Sequence, residues 1–140
     1  MRIILDTNVF VSGIFWKGPP YQILQAWRNR KLRLVLTPDI LEEYNRVSLE
    51  LSINFPEVDL FPFMDLLTVE AEVYTSVKLP QPVSVDPSDD KFLACALIAN
   101  AVCIVSGDHH LLNVSGYKGL HVLTPRDFVN RYLKSKSLRT

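Results

Sequence analysis

Residues 2–13 read RIILDTNVFVSG, and the order of chemistry in that stretch governs the rest of the reading. Ile3, Ile4 and Leu5 form the apolar body of a buried strand. The run stops on Asp6, a carboxylate close to the start of the chain. Such an acid can cap a turn, or it can belong to a site assembled from distant segments. The second reading needs more acids in equivalent places. A second apolar run, VCIV (102–105), leads through Ser106 and Gly107 to Asp108. In a parallel α/β sheet the ligand crevice lies outside the carboxyl ends of the strands. If these two strands run parallel, Asp6 and Asp108 face the same crevice.

The segments between them alternate in type. YQILQAWRNRKL (21–32), after Pro19 and Pro20, has Ile23, Leu24 and Trp27 on one helical side. LRLVLT (32–37) is β-rich. Thr37 and Pro38 then mark a helix start. The helix that follows carries Ile40, Leu41, Tyr44, Val47 and Leu51 at helical period. Pro56 and Pro62 break the next region into one or two short helices through Leu67, and AEVYTSV (71–77) reads as a third strand. A proline-rich loop follows, and Asp86-Pro87 opens another helix with Asp89 placed as a capping-box acid. Phe92 to Ala99 is apolar nearly all round and should be central and buried. LHVLT (120–124) is a late strand, and TPRDFV (124–129) repeats the helix-start pattern with Thr124 and Asp127. Trp16 and Lys17 fall in the loop after the first strand. Strands alternating with helices predict an α/β/α sandwich with a mostly parallel central sheet.

The chain of 140 residues suits one domain, expected over 1–133 with a tail at 134–140. Apolar residues make up 48%, which favours a packed core over disorder. Acids and bases balance at 15 each, so a globally basic sheath for a polyanion is excluded. The local basic stretch RNRKLR (28–33) reads most simply as a solvated helix end. Cys95 and Cys103 lie in apolar runs without metal-ligand spacing and read as buried, reduced thiols. Asp6 interrupts the first apolar run too early for a secretory signal, and 92–105 is too short to cross a bilayer. The expected location is the cytoplasm, with no membrane association.

Periodicity ranks the remaining acids. At about 100° per residue, Glu42 falls opposite the apolar set of its helix, and Glu43 lies at the edge of the buried stripe with Ile40 and Val47. Asp39 is accounted for by the field at the helix N-terminus. Asp86 and Asp89 have a capping explanation, whereas Asp90 does not fit the cap and falls one turn before the buried helix. Carboxylates gathered at one crevice repel one another, and a divalent cation is their natural compensator. Oxygen ligands favour Mg²⁺ or Mn²⁺, and such an ion suits hydrolysis of a phosphodiester.

ILDTNVFVSG, LTPDILEEYNRV, DPSDDKFLACALIANAVCIVSGD and the pair Leu111-Leu112 together resemble a PIN-domain nuclease, most closely the toxin components of type II toxin–antitoxin systems. The resemblance runs from Arg2 to about Leu133. It implies a compact α/β/α sandwich and Mg²⁺- or Mn²⁺-dependent RNA cleavage. It also implies homodimerisation and inhibition by a cognate antitoxin protein. On this resemblance the catalytic and metal-binding acids are Asp6, Glu43, Asp90 and Asp108, with Asp89 the rival of Asp90. Asn8 braces the site by hydrogen bonds, and Ser106 positions the groups around the metal. His109 and His110 are expected at the rim. Trp16 and Lys17 are positioned either to touch substrate or to pack.

Three other activities fit parts of the pattern. A nuclease acting on DNA would use the same acids. A non-catalytic RNA- or protein-binding module could share the fold, although a surface for a polyanion has no reason to gather carboxylates. Phosphoryl transfer through an aspartyl phosphate would call for a second Asp two residues after Asp6, where Asn8 stands.

Overall fold

A computed structural model describes residues 1–134; the expected tail lies outside the described residues from position 135 onward. The elements in chain order are β1 (Arg2–Leu5), α1 (Thr7–Phe15), α2 (Pro19–Arg28), β2 (Arg33–Leu36), α3 (Pro38–Ser52), α4 (Phe61–Glu70) and β3 (Glu72–Val73). After a long loop and a 3₁₀ turn (Pro87–Asp89) come α5 (Asp90–Ala99), β4 (Cys103–Val105), α6 (His109–Leu112), β5 (His121–Leu123) and α7 (Pro125–Phe128). The strands form one five-stranded sheet, ordered β3-β2-β1-β4-β5, with helices flanking it. Every pairing is parallel, in register Ile3 to Leu34 and Ile4 to Ile104. The chain builds outward from β1 through β2 to β3, then returns to add β4 and β5 on the other side. The switch point therefore lies between β1 and β4, where a parallel sheet opens its crevice.

Burial explains why these short strands hold. Ile3, Ile4, Leu5, Cys103, Ile104 and Val105 are all inaccessible to solvent. A fully buried aliphatic side chain contributes about 1.5–3 kcal/mol relative to an exposed one. Helix α5 covers β1, β2 and β4, burying Phe92, Leu93, Cys95 and Ala96, and it ends at Asn100 in the left-handed conformation, φ 54°. Both cysteines are free and buried, and burial pushes their thiols up to about 12. The Thr124 hydroxyl accepts from the Asp127 N–H at 3.1 Å, as its motif predicts.

Helix α1 is the element the sequence pattern conceals. TNVFVSGIF is rich in β-branched residues and contains a glycine, both poor helix formers. Packing overrides propensity: Val9, Phe10, Val11 and Ile14 enter the core. Gly13 lets α2 approach closely, since a Cβ there would stand 2.7 Å from Leu24 Cδ1 and 2.8 Å from the Pro20 carbonyl. The third strand is shorter than AEVYTSV suggested, only Glu72–Val73. The basic stretch lies at the amino end of the sheet and is ion-paired: Arg30 with Glu70 at 3.0 Å, Arg33 with Glu72 at 2.7 Å. Among the described residues no helix is long and apolar enough to cross a membrane.

Candidate active site

Asp6 follows the last residue of β1 and stands at the N-terminus of α1. Its N–H continues the sheet by donating to the Val105 carbonyl at 2.9 Å, which fixes it beside the end of β4. Its carboxylate accepts from Ser106 Oγ at 2.8 Å. Ser106 is fully buried, and the same Oγ accepts the Asp108 N–H at 2.9 Å. One hydroxyl thus ties together the acids that end the two central strands. The side chain of Asp108 in turn accepts from the His110 N–H at 2.9 Å. Burial raises the Asp6 carboxyl above its ordinary value; the Ser106 hydrogen bond opposes this, and the charges of Asp108 and Glu43 add to it.

Glu43 reaches the same crevice from α3. As its period predicts, it is half-buried while Glu42 is exposed. Its carboxylate accepts from Thr7 Oγ1 and pairs with Lys91 Nζ at 2.9 Å. Tyr44, the next residue, is buried and stacked on Phe10 with ring centroids 4.3 Å apart. Its hydroxyl donates to the Leu5 carbonyl, fastening α3 to the residue that precedes Asp6.

The DPSDD segment differs from the expected register. The carboxylate of Asp90 is turned to the preceding loop, accepting the N–H groups of Val83 at 3.0 Å and Ser84 at 2.8 Å. Asp86 performs the capping, accepting from the Ser88 N–H at 3.0 Å. Asp89 makes no cap hydrogen bond. Instead it lies within range of the other acids: burial, then the charges of Asp6 and Asp108, push its carboxyl up to about 6. Of the two neighbours, Asp89 is the one whose carboxyl feels the charges of Asp6 and Asp108, while the carboxylate of Asp90 is engaged by the loop. Asp89 closes the 3₁₀ turn and Asp90 opens α5, so the two neighbours belong to different elements.

Asn8 differs as well. It is exposed on α1, and among the described residues its side chain has no hydrogen-bond partner. The brace to Glu43 comes from its neighbour Thr7, which sequence reasoning passed over although it is the first helical residue after Asp6. His109 and His110 are exposed on α6. Trp16 is half-exposed and packs edge-on against Phe55, with centroids 5.5 Å apart.

The donor set is all oxygen and mutually repulsive, which fits a hard divalent cation. Among the described residues no three of these acids already stand as a ligand set; Asp6, Glu43 and Asp108 are each held by a neighbouring donor. Asp6, Asp89, Asp108 and Glu43 are the side chains that would hold such a cation.

A parallel sheet with carboxylates outside its switch point defines an α/β protein with an acidic crevice. The chain belongs to the PIN domain family, whose sequence pattern it matches over residues 2–110. PIN domains are generally nuclease folds and typically use divalent metals. Among solved structures, the chain is similar to a PilT N-terminus domain protein from the hyperthermophilic archaeon Sulfolobus solfataricus P2. The identity is 16%, the TM-score 0.59, and the match covers 96% of this chain and 95% of that one, a likeness of fold. No curated protein matches the chain.

Proposed function

We propose that the protein is a Mg²⁺- or Mn²⁺-dependent endoribonuclease, formed by one PIN unit over residues 1–133, with Asp6, Glu43, Asp89 and Asp108 as its catalytic acids. The observation that supports it most is the convergence of these acids at the β1/β4 switch point. Bound Mg²⁺ or Mn²⁺ supplies Lewis-acid activation of water and neutralises charge at the phosphodiester. Ser106 holds the Asp6 carboxylate and the Asp108 backbone in one frame, and Thr7 holds Glu43. Tyr44 fixes the spacing of α3 from β1. No side chain is needed as a covalent nucleophile. Asp90 keeps the 83–84 loop against α5 and so positions Asp89.

RNA as the substrate, a homodimer, a cognate antitoxin and a cytoplasmic site of action are supported by the resemblance of the sequence motifs to toxin-type PIN proteins. The test is digestion of matched single-stranded RNA and DNA oligonucleotides with added Mn²⁺, compared with Asp6→Asn. Cleavage of RNA by the wild type, reduced at least about 100-fold in the variant, is expected for loss of a direct metal ligand. Equal cleavage by a folded Asp6→Asn protein would remove Asp6 from the mechanism. Preference for the DNA strand would reassign the substrate.

A further inference from the structure

Among the described residues, Lys91 is the cation held between α3 and α5 at the crevice, and its placement is specific. Lys91 Nζ lies 2.9 Å from Glu43 Oε1, donates to the Ser88 carbonyl at 2.6 Å and stands 5.0 Å from the centroid of the Phe92 ring. Its side chain is only 17% exposed, against 21% for Glu43. The other cation near Glu43, Arg46, reaches it at 3.9 Å but is half-exposed and shared with Glu42 at 3.4 Å and Glu50 at 3.7 Å. Lys91 is therefore the partner held in place, by α5 on one side and α3 on the other.

We propose that Lys91 is a built-in counter-ion: it holds Glu43 in the metal-free protein, and it must leave that carboxylate for a divalent cation to bind there. The inference rests on the reading of the crevice as a divalent-cation site. A carboxylate oxygen bonded to an ammonium cannot offer the same lone pair to a metal, and the two positive charges repel at close range. In return, an ammonium bonded to Glu43, whose charge also reaches Asp89, relieves part of the acids' repulsion while no metal is bound. Lys91 is thus a positioning residue that sets how much metal the site requires.

The test is calorimetric titration of the full chain with Mn²⁺ alone, comparing wild type, Lys91→Met, Lys91→Arg and each Lys91 form in a Glu43→Gln background. Circular dichroism establishes that each variant is folded. Removing the competing charge should tighten Mn²⁺ binding by about tenfold in Lys91→Met, since tenfold corresponds to only about 1.4 kcal/mol. Lys91→Arg, which keeps the pair, should bind nearly as the wild type does. In the Glu43→Gln background the gain should shrink toward unity, as two residues acting through one contact require. The metal-free Tm of Lys91→Met should fall below that of the wild type and recover with saturating Mn²⁺. Unchanged or weaker Mn²⁺ binding by Lys91→Met, with wild-type binding intact, overturns the inference alone. A full gain that persists without Glu43 also overturns it. Absence of Mn²⁺ binding by wild type and Lys91→Met alike overturns both this inference and the metal-dependent function.

Discussion

The two ends of the sheet hold acids under opposite conditions. At the amino end, Glu72 lies between the guanidiniums of Arg2 and Arg33, each at 2.7 Å. The hydrogen bond from Arg2, then that from Arg33, holds its carboxyl down at about 2. At the carboxyl end, Asp6, Asp89 and Asp108 share a crevice, and burial and mutual repulsion push Asp89 up to about 6. The first cluster is electrostatically complete and does nothing but join β1, β2 and β3. The second is incomplete: Ser106 and Thr7 hold its acids in place by hydrogen bonds, and Lys91 offsets only part of their charge. Acids pushed up by burial and by one another in a crevice are candidates for function, whereas the acid held down between two guanidiniums acts as a clasp.

The contrast can be broken at several levels. The largest effect after loss of an acid should come from Ser106→Ala. It removes the hydroxyl shared by Asp6 and Asp108, and cleavage should fall about 10–100-fold, as for other groups that orient metal ligands. Activity within twofold of wild type would show that the backbone alone sets those acids.

A smaller effect is expected in the pH dependence of stability, followed as Tm in EDTA. Asp89 and Asp6 have folded values above their unfolded ones, so the folded state binds their protons more tightly. Their penalty is present at neutral pH and is relieved as pH falls through about 6, so Tm should rise between pH 7 and about pH 5. Glu72 has the opposite sign: its contribution is full above its unfolded value and is lost as pH falls toward about 2. Asp89→Asn should flatten the rise between pH 7 and about pH 5 and leave the acid limb unchanged. A Tm that falls steadily from pH 7 downward would contradict the strained character of the crevice.

The smallest effect belongs to Glu72→Gln. Its pairs are solvent-exposed, so Tm should drop slightly, the drop should vanish at high salt, and cleavage should not change. A large loss of stability would mean that this end of the sheet is not merely a surface clasp.

Much of this was legible in the sequence because the relevant signals are local. Two apolar runs ending on Asp6 and Asp108 gave the switch point, and the period of α3 separated Glu43 from Glu42. Helix α1 was not legible, because its β-branched residues argue against a helix until Leu24 and Pro20 close over Gly13. The choice between Asp89 and Asp90 was equally hidden. Adjacent residues differ only in where a 3₁₀ turn points them, and the partners of Asp90 are backbone N–H groups that carry no sequence signal. The Lys91–Glu43 pair spans 48 positions and becomes visible only when α3 and α5 meet.

The most direct test is a side-by-side measurement of Mn²⁺-dependent RNA cleavage by folded Asp89→Asn and Asp90→Asn proteins. Loss of at least about 100-fold in Asp89→Asn, with a much smaller loss in Asp90→Asn accompanied by lower thermal stability, is the expected result. An inactive Asp90→Asn beside a fully active Asp89→Asn would contradict the site described above.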